Sequence, residues 1–168
     1  YFQRIRQICD RYDVLFIADE VITGFGRTGL HFAIEYWDVV PDMIVFGKGA
    51  SSGYCPLGGV VVTDQIYDVF ATAGLFLAHV FTYVNNPVAM RVGLEVLDII
   101  ESENILEHVD AVGCYLQDRA SQLYRHRIVG DIRSKGLMLG AELVRDRETH
   151  EPFPATAGAA RKLNNAML

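Results

Sequence analysis

Apolar residues change their spacing several times along this chain, and each change marks a new element. Phe2, Ile5, Ile8 and Cys9 share one face at helical spacing, so the sequence opens within a predicted amphipathic helix. Residues 14–19, VLFIAD, form a short continuous apolar run, the signature of a parallel strand buried on both faces. A glycine-rich loop, EVITGFGRTG, leads to a short amphipathic helix over 32–37, which Pro41 ends. Residues 43–47, MIVFG, read as a second buried strand. After the loop KGASSGYCPLGG, residues 59–63, GVVVT, read as a third. A helix over 64–71 and a glycine-containing loop then lead to HVFTYVNN.

Asn86 followed by Pro87 predicts a capped helix start, and the helix continues through Met90, Leu94, Leu97 and Ile100. Asn104, with Glu107 three residues on, resembles a capping box. It opens a second helix with Ile105, Val109, Val112, Leu116 and Leu123 on its apolar face. Beyond Arg127 the pattern alternates and becomes β-branched in IVGDIRS and KGLMLGAELV, which predicts strands. The expected class is α/β. Residues 1–103 would carry one layered unit, and residues 104–168 would begin a second, smaller and incomplete one. The chain starts at Tyr1 inside a helical pattern and stops at Leu168 inside another, ARKLNNAML, so it reads as an internal piece of a longer protein.

Composition narrows the function classes. The 168 residues are 51% hydrophobic and 21% charged, a globular balance, and the formal charge of −6 disfavours a nucleic-acid binder. The basic stretch 119–135 reads more simply as a solvated helix end. Cys9, Cys55 and Cys114 are too scattered for a disulfide framework or a zinc site, and no metal centre is expected. A reducing, cytoplasmic setting is the default. No apolar run approaches the roughly 18 residues of a membrane span.

Two residues stand out chemically. Asp19 and Lys48 each end a buried apolar strand, and the carboxyl edge of an open α/β sheet is where ligands bind. A carboxylate and an amine so placed could face one another across a flat ligand. They could also form a structural ion pair, or be unrelated polar residues at two strand ends. Gly24, Gly26 and Gly29 spell G-x-G-x-x-G, but the next strand ends in Lys48 where a dinucleotide site needs an acid for the ribose. Gly47-Lys48 is not a phosphate loop either, because Asp42 and Gly49 stand where that motif needs Gly and Ser or Thr.

The ordered set ADEVITGFGRTG, PDMIVFGKG, PLGGVVV and FTY followed by NPVA resembles the class III aminotransferases, pyridoxal-phosphate enzymes of fold type I. The resemblance runs from the opening helix through KGLMLGAEL. It implies a piece of the mostly parallel large-domain sheet with its helices, then the start of a small α/β domain. The implied cofactor is pyridoxal 5'-phosphate. The implied reaction moves an amino group from an amine or amino acid to a keto acid, pyruvate or 2-oxoglutarate being expected.

Carried over residue by residue, the resemblance makes Lys48 the Schiff-base lysine and proton carrier, and makes Asp19 the partner of the protonated pyridine nitrogen. Val21 would pack on one face of the ring, and Thr82 would give its hydroxyl to the cofactor phosphate across a homodimer interface with shared active sites. Arg27 would guide a carboxylate or organise its loop, and Tyr54 and Cys55 would pack near the cofactor. Where relatives often read H-G-F-T-Y-S-G-H-P, this chain has residues 79–87 as HVFTYVNNP, so its phosphate loop would be shaped differently at Val80 and at 84–86. The family's upstream phosphate-binding helix and downstream substrate arginine do not lie in these residues, and the piece alone is expected to be inactive. Lys48 and Asp19 would equally serve an aminomutase, a racemase or a lyase of the same fold type. A catalytically inert truncated product is the remaining alternative.

Overall fold

A computed structural model describes residues 1–79 and 81–167. Val80, on which one departure from the family pattern falls, and the final Leu168 lie outside the described residues. Within them, the chain resolves into two compact units, Tyr1–Val109 and Asp110–Leu168.

The first unit opens with helix α1, Phe2–Tyr12, followed by strand β1, Ile17–Asp19. Strand β2, Met43–Phe46, runs parallel to β1, with Asp19 opposite Val45. Strand β3, Gly59–Val62, pairs antiparallel on the other side of β2. The sheet order is therefore β1-β2-β3, and it combines one parallel and one antiparallel pairing. The segment from β1 to β2 contains a 3-10 helix, Ala33–Trp37, where the spacing predicts a short helix.

Cys9, Phe16, Ile34 and Val39 form the buried cluster of this unit, and Phe2, Ile5 and Phe32 pack against it. Phe2 stacks on Phe16 at 6.4 Å between ring centroids and meets Trp37 at 4.5 Å. Ile8, expected on the same apolar face, is exposed instead.

The expectation of strands buried on both faces is corrected here. Phe16 and Ala18 point into the core, while Leu15 and Ile17 are 54% and 52% exposed. The stretch therefore alternates as a half-covered strand does. Every residue of β2 is partly exposed as well. Apolar composition on both faces is a property of the sequence, whereas burial needs a second layer, and among the described residues only one is present.

Helix α2, Asp64–Thr72, follows β3. Helix α3, Pro87–Ser102, begins as its sequence predicts: the Asn86 side chain accepts from the N–H groups of Val88 (3.0 Å) and Ala89 (3.3 Å). Helix α4, Ile105–Ser121, starts differently. Asn104 sits at φ 51°, in the left-handed region rather than the extended one that a capping box needs, and among the described residues its side chain caps nothing.

In the second unit, strands β4, Val129–Lys135, and β5, Met138–Asp146, form an antiparallel hairpin. A short strand, β6, Glu151–Pro152, pairs with β5, and helix α5, Ala159–Met167, comes last. Gly113 of α4 lies against the hairpin turn, where a Cβ on it would come within 2.8 Å of the Gly136 backbone. Arg147 closes the unit by donating to the carbonyls of Val129 (2.8 Å), Tyr124 (2.7 Å) and His126.

One ion pair governs the entry into the first sheet. Asp42, just before β2, accepts from the Phe16 N–H at 2.6 Å and from the Arg6 guanidinium at 2.8 Å. The Phe16 N–H, and then Arg6, hold its carboxyl below the ordinary value of 3.8. A depressed carboxylate stabilises the fold fully above its unfolded-state pKa, and that contribution is lost as pH falls through the folded value. Asp42→Asn in the intact protein should therefore lower stability near neutral pH by about 1.5–3 kcal/mol. The gap in Tm between parent and variant should narrow as pH drops below 3.8, and a constant gap would refute this account.

Candidate active site

The two strand ends singled out in the sequence stand side by side. β1 and β2 are hydrogen-bonded parallel neighbours, so Asp19 and Lys48 share the carboxyl edge of one sheet. The pairing runs one residue past β1, with the Glu20 N–H donating to the Val45 carbonyl at 2.8 Å. Asp19 lies on the exposed face of β1, and its Oδ1 accepts from the Val21 N–H at 3.1 Å. No bond occupies the other carboxylate oxygen among the described residues. Lys48 is exposed, and among the described residues its amine has neither an ion pair nor a hydrogen bond. The structural ion pair considered from the sequence is therefore not formed.

The backbone of Lys48 is in the left-handed region at φ 40°. For a residue with a Cβ this costs on the order of 1–3 kcal/mol, and it persists only where the surroundings impose it. Those surroundings are close-packed. Lys48 starts a 3-10 turn, Lys48–Ser51, whose Ala50 and Ser51 are buried. Helix α3 approaches this turn through Gly93, where a Cβ would lie 3.5 Å from the Ala50 carbonyl and 2.7 Å from Leu57. Ser51 Oγ ties the far end of the loop by donating to the Cys55 carbonyl at 2.5 Å.

Glycines flank the lysine. Val21 lies alongside Gly47, its Cγ1 3.7 Å from where a Gly47 Cβ would stand. The Gly24–Phe25 turn presses on Gly49, where a Cβ would lie 3.0 Å from Phe25 Cβ and 3.4 Å from the Gly24 carbonyl. Three of the four residues expected at the site, Asp19, Val21 and Lys48, are thus brought together. Thr82 lies in an exposed turn over 82–85, and among the described residues no hydrogen bond joins it to Asp19 or Lys48.

The loop between β1 and the 3-10 helix is held by a residue that the motif reading passes over. Glu20 is only 4% exposed. Its carboxylate accepts from the Thr23 hydroxyl, from the Ala33 N–H (3.1 Å) and from the Ile34 N–H (2.7 Å). Arg27, expected to guide a carboxylate or organise this loop, is exposed and makes no such bonds. The reason is chemical: a loop with free N–H groups needs an acceptor, and a guanidinium offers only donors. Strand alternation contains the missed signal, because Phe16, Ala18 and Glu20 fall on the buried face and Asp19 on the open one. Gly26 and Gly29 take φ of 85° and 99° in the same loop, so turn geometry accounts for these glycines of the G-x-G-x-x-G match. Tyr54, expected to pack near the site, is 85% exposed.

An amine and a carboxylate on one sheet edge can bind a carbonyl carbon and a protonated ring nitrogen of the same flat molecule. Comparison with known proteins points the same way. The sequence model of the aminotransferase class-III family matches residues 1–163. The putrescine–pyruvate aminotransferase of Pseudomonas aeruginosa is 47% identical over 154 residues, which are 91% of this chain and 34% of that protein. A transaminase from the marine bacterium Virgibacillus superposes with a TM-score of 0.90 at 46% identity, over 96% of this chain and 37% of that one. The taurine:2-oxoglutarate aminotransferase of Bifidobacterium kashiwanohense, solved with PLP and glutamate, gives a TM-score of 0.85 at 37% identity, over 90% and 34%. The chain spans about a third of the length of the curated relatives it matches.

The packing on Gly49 supplies a direct check. Gly49→Ala in the intact protein places a methyl group 3.0 Å from Phe25 Cβ, with no left-handed φ to add strain. The Tm should fall by the equivalent of about 1–3 kcal/mol, the usual cost of overpacking. An unchanged Tm would mean that the loop yields freely at this point.

Proposed function

Because the chain belongs to the class-III aminotransferases, we propose that its parent protein transfers an amino group from a small-molecule amine or amino acid to a keto acid such as pyruvate or 2-oxoglutarate. The observation that carries this reading is the unpaired Lys48 amine beside the half-free Asp19 carboxylate at the end of two parallel strands. The fold is that of the type I pyridoxal-phosphate enzymes, represented by part of the large-domain sheet. We assign residues 1–103 to that large domain and residues 104–168 to the start of the small one.

The residues present fit pyridoxal 5'-phosphate, the cofactor of this family. Condensation with an aldehyde needs an amine that no carboxylate holds, and Lys48 has one. A protonated ring nitrogen needs an anionic acceptor, and among the described residues one oxygen of Asp19 is free, while the Val21 N–H steadies the other. The bound cofactor supplies an electron sink for the pair of electrons left when the substrate's α-carbon loses a proton. Asp19 would keep the proton on the ring nitrogen through a charge-assisted hydrogen bond. Lys48 would hold the cofactor and would carry the substrate's α-proton as base and acid, a role suited to an amine whose pKa falls readily on desolvation. Val21, beside Gly47, would cover one face of the ring and exclude water.

We assign Thr82 to the phosphate of a neighbouring subunit's cofactor in a homodimer. Two observations support this: among the described residues Thr82 has no bond to its own Asp19 or Lys48, and it lies among exposed Phe76, Leu77, Phe81 and Tyr83, an apolar stretch that a second subunit would cover. Three unpaired cysteines suit a reducing, cytoplasmic setting.

In the full-length protein, borohydride should fix the cofactor on Lys48, and Lys48→Ala should abolish both this and the visible absorption band. Asp19→Asn should leave cofactor bound but slow turnover by at least the roughly tenfold or more that losing about 1.5–3 kcal/mol implies. An amine donor should discharge the visible band, and pyruvate or 2-oxoglutarate should restore it. Covalent cofactor persisting in Lys48→Ala, or near-normal turnover in Asp19→Asn, would contradict these roles.

The shared site has its own test. A heterodimer of one Lys48→Ala subunit and one Thr82→Ala subunit gathers both lesions into one site and leaves the other whole. Activity should recover to about half of the parent's, and confirmed heterodimers without recovery would place Thr82 outside the partner's site.

A further inference from the structure

Glu20 is the most deeply buried charge near the site, and its bonds reach both ends of the loop that follows it. Among the described residues no cation pairs with it. Its charge is met only by the Thr23 hydroxyl and the Ala33 and Ile34 N–H groups, while its own carbonyl accepts from the Gly24 N–H at 2.9 Å. A residue needed only to fill space would be cheaper as an apolar side chain, since burying a carboxylate carries a desolvation cost. The arrangement therefore suggests a task beyond packing.

What the carboxylate holds in place is the loop that packs on the residues flanking Lys48. Thr23, at one end of the loop, and Ala33 and Ile34, at the other, converge on this one side chain. Between them Phe25 is set at φ 56°, with its N–H bonded to the His31 carbonyl at 2.6 Å. The Phe25 ring lies 5.7 Å from both Phe32 and Phe46, and its Cβ backs onto Gly49. Phe46 and Gly49 bracket Lys48 in the chain. On the other flank Val21, the residue after Glu20, lies beside Gly47 and donates to Asp19. Both functional groups are thus referenced to the segment that Glu20 anchors.

We propose that Glu20 is a positioning residue, whose buried carboxylate holds the 21–34 loop so that Lys48 and Asp19 keep the relative placement the reaction requires. The proposal rests on the reading of Lys48 as the cofactor's anchor. It adds that the left-handed backbone of Lys48 is imposed by the Phe25–Gly49 packing, and hence by Glu20. Glu20→Gln keeps the shape but turns an N–H₂ toward groups that now donate, so it loosens the clasp without emptying the space.

The test uses the full-length holoenzyme. Borohydride followed by peptide mapping establishes that the cofactor is on Lys48 in the parent and in Glu20→Gln. We expect the variant to keep the cofactor there and to lose about ten- to a hundredfold in kcat, as small misplacements of reacting groups do. KM for the amine should stay within about threefold. The pH at which the visible band of the bound cofactor titrates should move by roughly half a unit or more, because that value depends on where Asp19 and Lys48 stand. Thr23→Val, which removes one donor and leaves Glu20 itself intact, should shift the same readouts in the same direction by less. It also serves, with Glu20→Asp, if Glu20→Gln does not fold. A variant with a lower Tm but an unchanged kcat per folded site and an unchanged titration would make Glu20 purely structural and overturn the proposal alone. A parent with no cofactor on Lys48 would overturn the anchor assignment and this inference together.

Discussion

The parallel pairing of β1 with β2 is the constraint from which the rest of the first unit follows. Two parallel strands cannot be joined by a tight turn, so the chain must leave the carboxyl end of β1, cross over and re-enter at the start of β2. The crossover here spans residues 20–42. Its two ends carry two carboxylate acceptors, Glu20 buried and Asp42 partly buried. Glu20 closes the loop at the carboxyl edge, and Asp42 ties the re-entry point to Arg6 and the Phe16 N–H. Glu20 satisfies backbone donors within the crossover, and Asp42 satisfies the Phe16 N–H just before β1.

This economy has a chemical consequence. Parallel neighbours end on the same edge, so a residue ending β1 and a residue just past β2 are brought together with no further device. The edge is then shaped by close backbone approach. Gly47 and Gly49 let Val21 and Phe25 lie against the chain on either side of Lys48, and Gly93 lets α3 come down on the turn that follows. The strained backbone of Lys48 is what such tight confinement produces. The second unit is held by a different means, with Arg147 gathering three carbonyls around one guanidinium.

The same geometry explains why one sheet face is open. Phe16, Ala18 and Glu20 point into the layer formed with α1 and the 3-10 helix, while Leu15, Ile17 and Asp19 point away from it. Apolar Leu15 and Ile17 and the Asp19 carboxylate thus share one side of β1.

Element order was legible in the sequence because it rests on local periodicity. Helical spacing at Phe2, Ile5 and Cys9, the short apolar runs, the Asn86-Pro87 start and the alternation beyond Arg127 each appear as elements at the expected places. Asp19 and Lys48 were legible for the same reason, since a polar residue closing an apolar run is a local feature. Other properties depend on groups distant along the chain and were decided only by the tertiary structure. The burial of Glu20 requires N–H donors 13 and 14 residues away. The approach of Phe25 to Gly49 and the antiparallel placement of β3 against β2 likewise join separate segments. Asn104 shows the converse, a capping pattern present in the residues and absent from the fold because its own backbone turned to positive φ. Periodicity determines which elements form; which face is covered, and which carboxylate finds its donors, is settled only when those elements meet.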